Sequence, residues 1–218
     1  MADRAPEFER QVFANFPYDA EYAPLARALL FTVLDCGFEP RLAAERADSG
    51  EVRLAKIREL IGTCRFSIHD ISRIEALHSG DLPRFNMAFE LGLDLGCRYF
   101  GEGALVTKQC LILERDRFRY QRVLSDISGN DIRAHNGEPE ALVRQVRNWL
   151  QVVGGGKLPS GSQVWKRFSL FQSHVALLFA RLHYTRDDVS SLEFTEFLQF
   201  VREWKISTRG AGPRRGRR

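Results

Sequence analysis

Between residues 10 and 150 the chain alternates short apolar runs with longer amphipathic ones. Gln11-Val12-Phe13-Ala14-Asn15-Phe16 reads as a first strand. Residues 20 to 36 follow as a helix, with Ala26, Leu29, Leu30, Val33 and Leu34 at helical spacing, and Gly37 ends it. Phe38 to Ala43 is the second strand, followed by a polar loop to Gly50. A helix over 52 to 63 sets Leu54, Ile57, Leu60 and Ile61 on one face. A strand over 65 to 70, a helix over 85 to 97, a strand from Gln109 to Leu113, a fifth strand around Asp131 to His135 and a helix from Glu138 to Gln151 complete the series. Strands alternating with helices predict a mostly parallel sheet covered on both faces. The expected fold class is α/β: a flavodoxin-like, Rossmannoid three-layer domain over residues 1–152, with a sheet of about five strands.

Val153-Gly154-Gly155-Gly156-Lys157-Leu158-Pro159-Ser160-Gly161-Ser162 breaks the pattern and predicts a linker over 153–163. Beyond it Val164, Phe168, Phe171, Val175, Leu178 and Leu182 recur at helical spacing, and a second stripe follows in Leu192, Phe194, Phe197, Leu198 and Val201. These predict a helical hairpin over 164–207, joined around Thr185-Arg186-Asp187-Asp188. Two helices bury too little surface to stand alone, so the hairpin packs either on the sheet domain as a brace or on another subunit, giving a homo-oligomer. Both readings stay open.

Composition is that of an ordinary globular protein, 44% hydrophobic and 28% charged. No apolar run approaches the roughly 20 residues of a membrane span, and Met1 to Glu7 has no signal-peptide core, so no membrane association and a cytoplasmic location are expected. The net charge of +4 misleads. Six basic residues from Lys205 to Arg218 face no acid after Glu203, so without them the body stands at −2. The tail over 208–218 is expected to be disordered; its arginines could touch nucleic acid, but a solvated terminus is the favoured reading. Cys36, Cys64, Cys97 and Cys110 form no C-x-x-C pair and the histidines form no i, i+4 pair, so no metal is expected.

The chemistry concentrates in Phe85-Asn86-Met87-Ala88-Phe89-Glu90-Leu91-Gly92-Leu93, where a carboxylate interrupts an apolar helix. A buried carboxylate without a partner costs several kcal/mol in practice, so Glu90 should face a cleft, a cation or water. Asn86 and Asp94 lie four residues to either side, on the same face. Upstream, Phe66-Ser67-Ile68-His69-Asp70 delivers Asp70 to the end of a strand, where open α/β sheets bind ligands. His69 reads as a packed core residue. The turn Asn15-Phe16-Pro17-Tyr18-Asp19 offers an amide, an aromatic ring and backbone amides suited to a nucleotide or its ribose. Arg73 and Arg84, which flank the segment from Ile74, could meet a substrate phosphate or neutralise the acids. No G-x-G-x-x-G, P-loop or G-x-S-x-G is present, which removes the main support for dehydrogenase, kinase and serine-hydrolase readings.

The strand ending in Phe16-Pro17-Tyr18, the strand ending in His69-Asp70-Ile71-Ser72 and the helix carrying Asn86-Met87-Ala88-Phe89-Glu90-Leu91-Gly92 together resemble the nucleoside 2-deoxyribosyltransferase-like superfamily. That group is related in fold to Toll/interleukin-receptor (TIR) domains, whose enzymatic members hydrolyse NAD. The resemblance spans about residues 10 to 150 and leaves the C-terminal helices uncovered. It implies Glu90 as the catalytic carboxylate and Asp70 as a group that holds the base, where by its chemistry it could also assist protonation of the departing base; the residues read above, Asn15, Pro17, Tyr18, Arg73, Arg84 and Asn86, would then stand around the substrate. The activity implied is N-glycosidic cleavage of NAD, a nucleoside or a nucleotide, as a bacterial defence or stress effector. NAD or a nucleotide is then substrate or ligand, and no resident cofactor is expected. The alternative is a non-catalytic module of the same fold that binds a nucleotide signal or a protein. Where related enzymes carry a compact Asn-Pro-Asn-type turn, this sequence has the longer stretch Ile74 to Arg84.

Overall fold

Gln11–Asn15 (β1) and Phe66–Asp70 (β3) are buried along nearly their whole lengths, as the middle strands of a sheet covered on both faces must be. In the computed structural model, which describes residues 5–76, 80 and 82–210, they lie side by side in a five-stranded, all-parallel sheet. The other strands are Glu39–Arg41 (β2), Gln109–Glu114 (β4) and Arg133–Ala134 (β5), in the order β2-β1-β3-β4-β5. This is the flavodoxin-like α/β arrangement expected from the alternation. Its strand order reverses between β1 and β3, which opens a crevice at their carboxyl ends.

Pleating divides the core. Val12, Ala14, Phe66, Ile68, Leu111 and Leu113 point to one face, against the helices Ala23–Asp35 (α2) and Pro139–Val153 (α5). Phe13 points to the other face, against Arg53–Thr63 (α3), and Ile112 packs there with Met87 and Leu91 of Phe85–Phe100 (α4). A four-residue turn of helix, Ala5–Phe8 (α1), precedes β1. Element ends shift from the expected ones for local reasons. The helix α2 begins at Ala23 because Asp19 makes a turn, accepting the Tyr22 N–H at 2.9 Å, and Pro24 opens the helix. Strand β2 stops at Arg41 because Glu45 reaches back to the Leu42 N–H at 2.6 Å and closes a short 3-10 turn. Gly37, at φ +87°, supplies the left-handed step that ends α2.

The C-terminal region forms three helices rather than a two-helix hairpin: Gly161–Arg181 (α6), Arg186–Ser190 (α7) and Phe194–Gly210 (α8). Phe31 of α2 meets Phe168 and Phe171 of α6 and Trp204 of α8 at ring distances of 5.2 to 5.9 Å. These helices therefore add a layer outside α2, in one continuous core with the sheet. The segment expected as a linker is helical at both ends. Between them Arg147 and Gln151 of α5 bind Leu158 and Pro159 and hold the segment down. At Gly154 a Cβ would collide with the Phe38 ring and the Leu150 carbonyl, so only glycine lets the chain pass. Helix continues to Gly210 within the stretch expected as tail; residues 211–218 lie outside the described residues. Among the described residues no helix is long and apolar enough to cross a membrane.

Candidate functional site

At the carboxyl edge, two cavities flank the start of α4. The larger, about 670 Å³, is lined by the Asp19–Glu21 turn, Arg73, Glu75 and the approach to α4 from Leu82 to Asn86. The smaller, about 340 Å³, is lined by Pro17, Tyr18, Ala44, Arg53, Arg84, Asn86 and Met87. Arg84 and Asn86 belong to both, so the sequence-predicted residues Pro17, Tyr18, Arg73, Arg84 and Asn86 do meet around one crevice. The Ile74–Arg84 segment closes on itself through a backbone hydrogen bond from Arg84 to Arg73 at 2.7 Å; residues 77–79 and 81 within it are outside the described residues.

Glu90 lines neither cavity: it follows Asn86 and Met87, which line the smaller one, by one helical turn, and it pairs with Arg53 of the same lining. Only 5% of its side chain is accessible. Its nearest charged partner is Arg53 of α3, at 3.7 Å, and it accepts no hydrogen bond among the described residues. Burial raises the Glu90 carboxyl above the ordinary range, against the pull of the Arg53 charge. The phenol of Tyr18 is likewise pushed up, first by burial and next by the negative charge of Glu90. Arg53 was not singled out from the sequence. It opens an exposed helix turn, and nothing in its neighbourhood signals that it reaches a residue 37 positions away.

Asp70 has the opposite character. It is fully buried, and its oxygens are taken: Tyr22 Oη donates at 2.5 Å, the Ser72 N–H at 2.9 Å and His135 Nε2 lies at 3.0 Å. Gly137 N–H donates to His135 Nδ1 at 3.1 Å, which leaves the proton of a neutral imidazole on Nε2, facing Asp70. Burial works to raise the Asp70 carboxyl, but the bonds from His135, Ser72 and Tyr22 outweigh it and hold it below the usual range. Asp70 lines neither cavity and ties the ends of β3 and β5 to α2.

Asn15 is also turned inward. Its Nδ2 donates to the Met87 carbonyl at 3.1 Å and lies 3.0 Å from His69 Nδ1, so it fixes β1 to α4. His69 Nε2 in turn sits 3.2 Å from Asp94 Oδ2, and Ser67 donates to the same oxygen. Lys108 Nζ lies 3.0 Å from Asp94 Oδ1 and donates to the carbonyls of Ile61 and Cys64 at 2.9 and 2.6 Å. Burial opposes ionisation of Asp94, but these partners push its carboxyl down to about 2. His69, Asp94 and Cys110 converge within 4.8 Å, a spacing a metal could use. The donor chemistry does not fit one: the Lys108 ammonium already provides the cation, and burial keeps Cys110 a thiol.

Arg73 binds Asp19 in a two-pronged pair at 3.0 and 2.8 Å and reaches Glu21 at 3.3 Å. Its charge is thus engaged at the wall of the larger cavity. Phe194, the first residue of α8, stands edge-on to both Phe16 (5.2 Å) and Tyr18 (5.6 Å), so the C-terminal layer reaches the crevice. The fold and the crevice define an α/β protein whose switch point carries a buried acid, Glu90, paired loosely with the exposed Arg53 near the Tyr18 ring. No protein-family model matches the chain, and no match is found among curated proteins or among solved structures.

Proposed function

We propose that this protein cleaves the N-glycosidic bond of a nucleotide or of NAD, with Glu90 as the reacting carboxylate. One observation carries the reading: a buried carboxylate that accepts no hydrogen bond among the described residues, and whose charged neighbour is the exposed Arg53, sits one helical turn from the lining of an open cavity at the switch point, whereas Asp70 is held by Tyr22, Ser72 and His135 and Asp94 by Lys108, His69 and Ser67. Perturbed, under-satisfied acids of this kind concentrate at functional sites. When the C1′–N bond breaks, its electron pair leaves with the base and positive charge develops at C1′. Glu90 stabilises that cation or bonds to C1′; water then supplies the hydroxyl at C1′, and its remaining proton goes to a base that leaves as an anion or, for NAD, whose nicotinamide leaves neutral, to solvent. A carboxyl held above the ordinary range is the more basic and nucleophilic one. Tyr18 offers its ring for stacking, and Arg53 and Arg84 offer positive charge for phosphate. Arg53 is exposed, so it can leave Glu90 for a substrate anion at little cost.

The test is release of free base from NAD and a panel of nucleosides and nucleotides. The expected result is turnover by the wild type and at least roughly a hundredfold loss in Glu90→Gln. Undiminished turnover by that variant would remove the assignment. A second reading, a nucleotide-binding module without turnover, is favoured by the Arg53 pairing and the burial of the Glu90 side chain. It expects thermal stabilisation by a nucleotide with no product.

A further inference from the structure

Helix α4 turns aromatic rings outward, while its inner face mixes Met87 and Leu91 with two acids. Its acids Glu90 and Asp94 point inward, at 4% and 2% exposure, while Phe85, Phe89, Tyr99 and Phe100 remain 67%, 56%, 67% and 90% exposed. At 3.6 residues per turn, Phe85, Phe89, Gly92, Gly96, Tyr99 and Phe100 fall within an arc of about 100°. No charged residue lies in that arc. Surface helices normally put charge outward, and depletion of charge with enrichment of aromatics is the mark of an interface centre. We propose that this face of α4 is the contact through which two copies of the chain associate.

The face is complementary to itself. Aromatic rings stand at both ends and two glycines lie between them. A Cβ at Gly92 would meet nothing within 4 Å, and one at Gly96 would meet only the Phe100 ring of its own helix. An antiparallel pairing about a twofold axis near Gly92 and Leu93 sets Phe89 of one copy over Gly96 of the other, and Phe85 against Phe100. Glycine at the crossing lets the helices approach closely enough for the rings to interdigitate. At roughly 150–250 Å² for each aromatic side chain, the four rings leave about 550 Å² open, most of the roughly 800 Å² per partner of a specific interface before Leu82 and the glycine backbone are counted. The C-terminal helices are the weaker candidate. Leu170 and Leu177 of α6 are exposed, but Lys166, Ser169, Gln172, Ser173 and His174 surround them with polar groups. Phe85 also lines the 670 Å³ cavity, so the second copy brings an aromatic residue to its rim.

The test is sedimentation of the full chain over a range of concentrations, for the wild type, Phe89→Glu, Phe100→Glu and, as a control on α6, Leu177→Glu. A concentration-dependent dimer is expected of the wild type and of Leu177→Glu. Each α4 variant should raise the dissociation constant roughly thirtyfold or more. Both α4 substitutions fall on exposed positions, so circular dichroism and melting temperature should match the wild type; where one does not fold, the other gives the answer. A monomeric wild type, a dimer that survives both α4 variants, or dissociation by Leu177→Glu alone would overturn the proposal.

Discussion

Asp70, Glu90 and Asp94 are three buried carboxylates, and their partners set them apart. Glu90 accepts no hydrogen bond among the described residues and is raised by burial, so its charged form weakens the fold. The native state binds its proton more tightly than the unfolded chain does, and stability from this group therefore falls as pH rises through the folded value. Glu90→Gln should thus stabilise the protein at neutral pH by about 1–2 kcal/mol, with the gain shrinking towards about pH 4; urea unfolding of both proteins across that range measures it. Asp94 is the reverse case. Its contribution is present above the ordinary value of 3.8 and disappears as pH falls towards about 2. Asp94→Asn leaves Lys108 buried beside an amide and should cost about 3–5 kcal/mol at neutral pH, read from denaturant midpoints. Of these acids, Glu90 and Asp70 were visible in the sequence as charges inside apolar runs. What separates them was not: His135, which saturates Asp70, and Lys108, which pairs Asp94, come from later strands and loops that only the closed sheet brings back.

At the scale of elements, α2 explains both what was legible and what was not. Its run Ala28-Leu29-Leu30-Phe31-Thr32-Val33-Leu34 is buried on every side, because the sheet and α5 cover one face and α6 and α8 the other. The strands and their order of appearance were legible because period-two and helical patterns alternate cleanly. The extra layer was hidden, since an apolar stripe on α6 says that something is covered and not what. Its contacts make a firm prediction: a chain ending at Ser160 should lose cooperative unfolding and bind a hydrophobic dye, because the outer face of α2 is bare. Phe194→Ala, which empties the space between α8 and the Phe16–Tyr18 pair, should cost about 2–4 kcal/mol by thermal or urea unfolding. If the crevice binds a nucleotide, the same change should raise the KM or Kd, since Tyr18 loses its backing.

For the whole molecule, the all-parallel sheet, the crevice at its switch point and the outer helical layer are parts of a single packing unit. The crevice depends on distant parts of the chain: Tyr18 lines it, and Phe194 packs edge-on against Tyr18 from the C-terminal layer. The helices that enclose α2 also arrive late. Asp35 waits for Arg167 across 132 residues, Arg27 for the Val189 carbonyl across 162 and the Leu34 carbonyl for Lys205 across 171. During synthesis, at about 5–20 residues per second, several seconds therefore pass between completion of α5 and arrival of the end of α8. Through that interval the nascent chain displays an uncovered apolar helix, a surface prone to aggregation until α8 emerges from the ribosome.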